Sequence, residues 1–252
     1  MQVDLADRLH FLARVQNCSR RKLLVWAACA GILYPLRPLT AFAQGGIGYP
    51  QTVQVLREGF LSETAAHNRY LEYMTRALAE DYGNIAYLFS SFARSEAIHA
   101  RNYSRVLQIL GVDCTLVQGE FDIGDTRSNL KQAAARELEK IESVYPAYIS
   151  RLEEEQFAQA LLHCRYAWDA HRQHKDKLTQ IMNYSGFFMG AVIRKLEDID
   201  FDFFVCQVCG STLDGQPQGD CPICGSSVDN YNNIERPQPT YASIKYNHSE
   251  KE

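Results

Sequence analysis

Two cysteine pairs near the C-terminal end constrain this chain more than any other feature. Cys206-Gln207-Val208-Cys209-Gly210 and Cys221-Pro222-Ile223-Cys224-Gly225 are CxxCG pairs with eleven residues between Cys209 and Cys221. Each pair turns so that two thiolates point at one ion, with glycine permitting the tight backbone and its amides free to hydrogen-bond sulfur. Four thiolates so presented make a tetrahedral site, and the local chain must fold around it. Spacing alone does not choose between zinc, the commoner occupant across proteins, and a single iron. Of eight cysteines, the other four are scattered: Cys18 and Cys29 near the N-terminus, Cys114 and Cys164 alone. That distribution argues against a disulfide framework.

The preceding stretch has a different pattern. From Thr52 to about residue 182, helix formers dominate and apolar residues return every three or four positions. The pattern predicts helical segments at about 52–80, 84–110, 126–153 and 155–181. Asp81-Tyr82-Gly83-Asn84 stops the first, and Gly111, a usual helix-terminating residue, stops the second. Pro146 interrupts the third and is expected to kink or split it. Four helices with short and medium connections read as a four-helix bundle over 52–182. At 252 residues, 46% hydrophobic and 22% charged, the chain can bury such a core and a smaller second unit. A formal charge of −4 gives no basic field for phosphate backbones, so nucleic acid is not an expected partner.

The second helix carries Glu96-Ala97-Ile98-His99. Positions three apart sit on neighbouring turns of one helix face, so this carboxylate and imidazole can approach one ion. One such pair arises by chance on surface helices, and its meaning comes from company. Helix one offers Glu63, helix three Glu137, and helix four His171-Arg172-Gln173-His174. A Glu from each of two helices and a Glu-x-x-His from each of the others is the layout of di-iron carboxylate bundles. Any one of these residues alone reads as a solvated helix-face side chain; four helices presenting ligand chemistry at matched depth read as a metal site. His67, four residues after Glu63, lies on the same side, as a further ligand, a supporting residue or simply a packed one, and His163 and Cys164 read as ordinary core or surface positions.

Ser62-Glu63-Thr64-Ala65-Ala66-His67-Asn68-Arg69-Tyr70, Ala93-Arg94-Ser95-Glu96-Ala97-Ile98-His99-Ala100-Arg101 and Val144-Tyr145-Pro146 resemble the matching stretches of rubrerythrins. With the C-terminal cysteines, the resemblance covers nearly all of residues 52–231. It implies a mainly α protein, a ferritin-like bundle followed by a rubredoxin-like four-cysteine domain at 205–231. It implies metal ligation by Glu63, Glu96, His99, Glu137 and His174, with Tyr70 and Tyr145 as hydrogen-bonding residues beside the site. The implied activity is reduction of hydrogen peroxide at a di-iron centre, with electrons supplied by an electron-donor protein through a single iron on Cys206, Cys209, Cys221 and Cys224. It also implies a homodimer in which the knuckle of one subunit serves the bundle of its neighbour.

Two positions depart from the family pattern. Lys140, six residues before Pro146, stands where rubrerythrins have a second helix-three glutamate, and His171 stands where the fourth helix should begin its Glu-x-x-His. Glu139 and Glu142 cannot substitute, lying about 200° around a helix of 3.6 residues per turn. A carboxylate bridges two metals through two oxygens, whereas neutral imidazole binds through one nitrogen. The expected outcome, with His171 among the ligands, is a metal pair bridged by Glu96 alone, or one ion held well and a second poorly. Nitrogen-richer ligation also favours zinc and other late first-row metals. The rival reading is therefore a metal-binding or iron-sequestering bundle with a structural zinc knuckle.

The chain's beginning reads as a targeting segment. Ser19-Arg20-Arg21-Lys22 leads into an uncharged run of eleven residues, Leu23 to Leu33, too short for the roughly 20 residues of a membrane span. Ala41-Phe42-Ala43 has the small-x-small pattern of a signal-peptidase site. Residues 1–43 are thus expected to be a removable export signal of twin-arginine type, which carries folded, cofactor-loaded proteins to the bacterial periplasm. An amphipathic N-terminal helix or uncleaved anchor is the alternative. Residues 183–204, with Phe187, Phe188, Phe201, Phe203 and Phe204, are expected to form a linker or hinge, and 232–252 a mobile polar tail.

Overall fold

The computed structural model describes residues 48–114, 121–183 and 202–239. Helix α1 spans Pro50–Ala79, α2 Gly83–Ile109, α3 Thr126–Glu139, α4 Tyr145–Glu155 and α5 Ala158–Asn183. A π-helical turn, Lys140–Val144, joins α3 to α4, so the two make one continuous rod of the four-rod bundle. The ends have identifiable causes. α1 lacks a side-chain cap of its own at Tyr49, and the carboxylate of Glu155 accepts from Gln51 N at 2.9 Å and Thr52 N at 2.8 Å instead. Asp125 caps α3 through Ser128 N at 2.7 Å. Gly111, in the left-handed region at φ +74, follows the end of α2.

Pro146 does not split the third rod. It sits in the first turn of α4, and the helix widens ahead of it: Tyr145 N bonds to Lys140 O, an i→i−5 bond. Pro146 has no N–H to offer Ile141, five residues back, and Trp168 Nε1 donates to that carbonyl at 3.0 Å. The lost backbone bond is thus replaced from α5.

Two apolar clusters fill the bundle. One gathers Ala66, Tyr70, Tyr73, Phe89, Phe92, Ala93, Leu130, Ala133 and Leu178; the other gathers Leu56, Phe60, Ala100, Tyr103, Leu107, Tyr145, Leu152 and Ala167. Glu63 falls between Phe60 and Ala66, Glu96 between Ala93 and Ala100, Glu137 between Ala133 and Tyr145, and His171 and His174 between Ala167 and Leu178. Every rod therefore changes cluster where it carries ligand-type side chains, leaving a buried polar layer between the two cores.

The cysteine module is a three-stranded antiparallel sheet, order β2-β1-β3, from β1 Phe203–Cys206, β2 Thr212–Asp214 and β3 Tyr231–Asn233. Its edges differ from those expected. Phe203 and Phe204 pair within β1 rather than lying in a linker, and the chain after 232 is tied down through Arg236. Ile234 N bonds to Phe203 O at 2.8 Å, and Arg236 bonds to Asn84 and lies over the Tyr87 ring, 4.7 Å from its centroid. The expected signal at 1–43, most of the linker and the end of the tail lie outside the described residues. Among the described residues, no helix is long and apolar enough to cross a membrane.

Candidate metal centre

The polar layer brings the bundle residues singled out from the sequence into contact. Glu63, Glu96, Glu137, His99, His171 and His174 are all at most 1% exposed. They form two overlapping clusters, Glu63, Glu96, His99 and His171, and Glu96, Glu137, His171 and His174, in each of which the ligand atoms lie within 4.8 Å of one another. Glu139 and Glu142 face solvent on the far side of the same rod.

The second cluster has unused donor atoms. Glu96 Oε1 and His174 Nδ1 are buried without hydrogen-bond partners and stand 3.5 Å apart. His171 Nδ1 lies 3.6 Å from Glu96 Oε1 and 2.6 Å from Glu137 Oε2, and His174 Nδ1 lies 3.9 Å from Glu137 Oε1. Four ligand atoms about 2.0–2.2 Å from a tetrahedral ion are separated by roughly 3.3–3.6 Å. Orphaned polar atoms at this spacing, with two nitrogens and two carboxylates, fit an ion.

Lys140 enters the first cluster. Its Nζ donates to Glu63 Oε2 at 2.6 Å, lies 3.9 Å from Glu96 Oε1, and is 3.3 Å from His171 Nε2. Tyr145 donates to the other Glu63 oxygen at 2.7 Å and accepts from Tyr103 at 3.2 Å. Tyr70 donates to Glu137 Oε1. Both tyrosines expected beside the site therefore contact its carboxylates. His67 instead bonds to Ala93 O at 2.7 Å and belongs to neither cluster.

Burial works against charge throughout this layer, and the groups compensate one another. Burial pushes the Glu96 carboxyl up, yet His171, Lys140, His174 and His99 together hold it well below the usual carboxylate range. Glu137 is lowered in the same way, against burial, by His171 and His174. Burial disfavours the charged form of His171, but Glu96, Glu137 and Glu63 outweigh burial and Lys140 and push it up to about 10. Burial disfavours the Lys140 ammonium too, and Glu63, Glu96 and Glu137 raise its pKa nonetheless. Burial first, then the carboxylates, hold Tyr70 and Tyr145 protonated.

The knuckle has its own cage. Sγ of Cys209 and Cys221 are 3.5 Å apart and those of Cys206 and Cys224 3.8 Å, close to the roughly 3.8 Å edge of a tetrahedron with bonds of about 2.3 Å. All four cysteines are free of disulfides. Gly210 and Gly225 hold the positive φ, +85 and +68, that the two turns require.

The knuckle docks on the bundle of its own chain, directly over this layer. His99 Nδ1 lies 2.9 Å from Glu96 Oε2 and its Nε2 3.0 Å from the carbonyl of Cys209; burial pushes its pKa down and favours the neutral ring, which donates to one of these two acceptors. Ser95 donates to Gly210 O at 2.7 Å, Asn102 to Val208 O at 2.8 Å, and Thr212 N to Gln173 Oε1 at 3.0 Å. A Cβ on Gly210 would lie 2.4 Å from His99 Nε2, so only glycine permits this approach. Sequence reasoning assigned Gly210 to the turn and missed Ser95, Asn102, Gln173 and Tyr103. No spacing rule marks them, because their partners lie 39 to 115 residues away or, for Tyr103, across the bundle.

A ferritin-like four-helix bundle with a buried carboxylate and histidine layer, joined to a rubredoxin-like four-thiolate knuckle, defines a class of non-haem metal proteins. The comparisons narrow the class. The family model described as Rubrerythrin matches residues 54–182. Rubrerythrin-2 of Clostridium acetobutylicum is 34% identical over 184 residues, 71% of this chain and 95% of that protein. Nigerythrin of Nitratidesulfovibrio vulgaris is 25% identical over 193 residues, 71% of this chain and 85% of that one. The solved structure of nigerythrin in its fully reduced, all-ferrous state has a TM-score of 0.62 at 24% identity, covering 77% of this chain and 91% of that one, a likeness of fold. The chain belongs to the rubrerythrin family.

Proposed function

We propose that this protein is an oxidoreductase that reduces hydrogen peroxide to water at the bundle, using electrons that enter at the four-cysteine site. The observation that carries the reading is the contact of His99 with both Glu96 and the Cys209 carbonyl, at 2.9 and 3.0 Å, which sets the thiolate cage against the bundle layer. Iron bound at the two places would supply the redox chemistry, two electrons for cleavage of one O–O bond. The chain's own part is to position and to protonate. Glu96 and His171 are shared by both clusters, and the depressed pKa of Glu96 keeps it an anionic donor. Tyr70 and Tyr145 orient Glu137 and Glu63 by donating hydrogen bonds, and burial keeps the phenol protons in place. Lys140 Nζ and Tyr145 Oη hold protons within the layer, and two protons are consumed for each peroxide converted to two waters. The two apolar clusters on either side keep bulk water from the site.

In this proposal the protein takes electrons from a donor protein, acts in the periplasm after export through residues 1–43, and pairs as a homodimer. Each bundle-to-knuckle contact described above would be reproduced in trans if two subunits exchanged knuckles.

The test is reoxidation. Anaerobically reduced protein should regain its thiolate-to-iron visible band when peroxide is added, and Glu96→Ala should lose this response while keeping the thiolate iron. Equal rates in Glu96→Ala would remove the bundle from the reaction. One observation favours a second reading. The set of two nitrogens and two carboxylates, with Glu96 Oε1 3.5 and 3.6 Å from the two imidazole nitrogens, suits zinc. Zinc at both places, with no peroxide response, would make the protein a metal-binding one.

A further inference from the structure

We propose that the bundle of this chain holds one divalent metal ion, on Glu96, Glu137, His171 and His174, and that the Lys140 ammonium stands in the place of a second. The inference rests on the bundle being a metal site and is independent of peroxide chemistry.

Three observations converge. Of the two unpartnered buried atoms in this layer, His174 Nδ1 belongs to the second cluster alone and Glu96 Oε1, 3.5 Å from it, to both. The outer carboxylates of both clusters are hydrogen-bonded at both oxygens, but to different partners: Glu63 takes the Lys140 ammonium at 2.6 Å and Tyr145 at 2.7 Å, whereas Glu137 takes Tyr70 and His171, itself a ligand-type side chain. His171 cannot serve both places as a neutral ring. Its Nδ1 faces Glu137 at 2.6 Å, while its Nε2 faces Lys140 at 3.3 Å and Tyr145 at 3.2 Å. Only His99, held between Glu96 and the Cys209 carbonyl, remains as a further donor on the lysine side.

Charge gives the same count. Glu63, Glu96 and Glu137 bring three negative charges into a fully buried layer, and Lys140 returns one. With the imidazoles as neutral donors, one divalent ion balances the remainder. A second would leave two positive charges uncompensated among side chains at most 1% exposed, within reach of an ammonium. Lysine is suited to the part because its stem is apolar and its head compact: the residue is 8% exposed, with Nζ delivered to the centre from the π-turn.

Cobalt(II) is the probe. The full chain, stripped with chelator under anaerobic conditions, is titrated with cobalt(II) alone. Thiolate-bound cobalt shows intense near-ultraviolet bands and nitrogen- and oxygen-bound cobalt weak visible ones, so the two kinds are counted separately. Wild type should take one ion of each kind per chain; two of the nitrogen and oxygen kind would overturn the proposal. Lys140→Glu restores a fourth carboxylate and should raise that count from one to two, with loss of cobalt electron-spin intensity as the pair couples. Lys140→Met, which keeps the buried stem, should also admit a second ion, at higher cobalt concentration. A folded Lys140→Glu and Lys140→Met that still take one would overturn the role given to the ammonium. Glu63→Gln should keep its one ion; losing it would move the ion to the lysine side and overturn the placement. A protein that binds one ion but ignores peroxide would keep this inference and reject the proposed function, and active protein with two ions would do the reverse.

Discussion

Gly210 and Gly225 form a matched pair for testing whether the knuckle rests on the bundle as described. Both have positive φ, +85 and +68, so alanine at either costs about 1–2 kcal/mol of left-handed strain, partly offset by a stiffer unfolded chain. Their surroundings differ. A Cβ at Gly225 meets nothing within 4 Å, whereas one at Gly210 falls 2.4 Å from His99 Nε2 and 2.8 Å from Ser95 Oγ. Reaching ordinary contact beyond 3.4 Å requires a separation of about 1 Å. That shift would stretch the 3.0 Å His99 to Cys209 contact and the 2.7 Å Ser95 to Gly210 bond past hydrogen-bond length. Losing two buried bonds costs about 1–2 kcal/mol each. Gly210→Ala should therefore be destabilised by about 3–6 kcal/mol and Gly225→Ala by about 1–2. The difference of about 2–4 kcal/mol corresponds to a 30- to 700-fold shift in docking. Urea unfolding followed by thiolate-iron absorbance reads the first quantity, and the rate at which peroxide restores that band reads the second. Gly210→Ala should respond far more slowly with its thiolate spectrum intact. Equal stability and equal rates in the two variants would show that the knuckle does not use this face.

Three further outcomes follow from the same geometry. In chelator-stripped protein, the depressed carboxyls of Glu96 and Glu137 contribute stability above their ordinary 4.5, lost as pH falls; the raised His171 contributes fully below 6.5 and loses its share as pH climbs through about 10. The melting temperature should thus peak between about pH 4.5 and 6.5 and fall towards pH 10, and a flat profile from 6.5 to 10 would contradict the charge network. Trp168→Phe removes the 3.0 Å donor to Ile141 O and should cost about 1–3 kcal/mol in chemical unfolding, whereas no cost would mean that the carbonyl finds another partner. Replacing Arg20 and Arg21 together by lysine should leave unprocessed protein in the cytoplasm on fractionation, and normal export would reject a twin-arginine signal.

The helices and ligands were legible because both rest on short-range spacing. Apolar residues at helical intervals place Glu63, Glu96, Glu137, His171 and His174 at the depth where the bundle changes from one core to the other, and two CxxCG pairs specify a cage. The limits of each element were less legible. Phe203 looked like part of a linker because its partners in the sheet and at Tyr87 come from distant chain, and Arg236 looked like tail because nothing local signals Asn84. The docking face was invisible for the same reason. Lys140 was recognisable as a departure, but its contact with Glu63 depends on helix geometry that the sequence signals only through Pro146.

That geometry explains why a proline belongs beside the site. Residues five apart on an α-helix are separated by about 140° around its axis, so Lys140 and Tyr145 could not both face one carboxylate. An i→i−5 bond stacks them instead: Tyr145 N reaches back to Lys140 O, and the two side chains take the two oxygens of Glu63 at 2.6 and 2.7 Å. Pro146 favours this turn by withholding an N–H, and Trp168 satisfies the carbonyl left over. The proline, the π-turn, the tryptophan and the lysine therefore act together. Without the widened turn the ammonium and the phenol would diverge, and Glu63 would be a buried carboxylate short of a partner, which the low-polarity core could not tolerate.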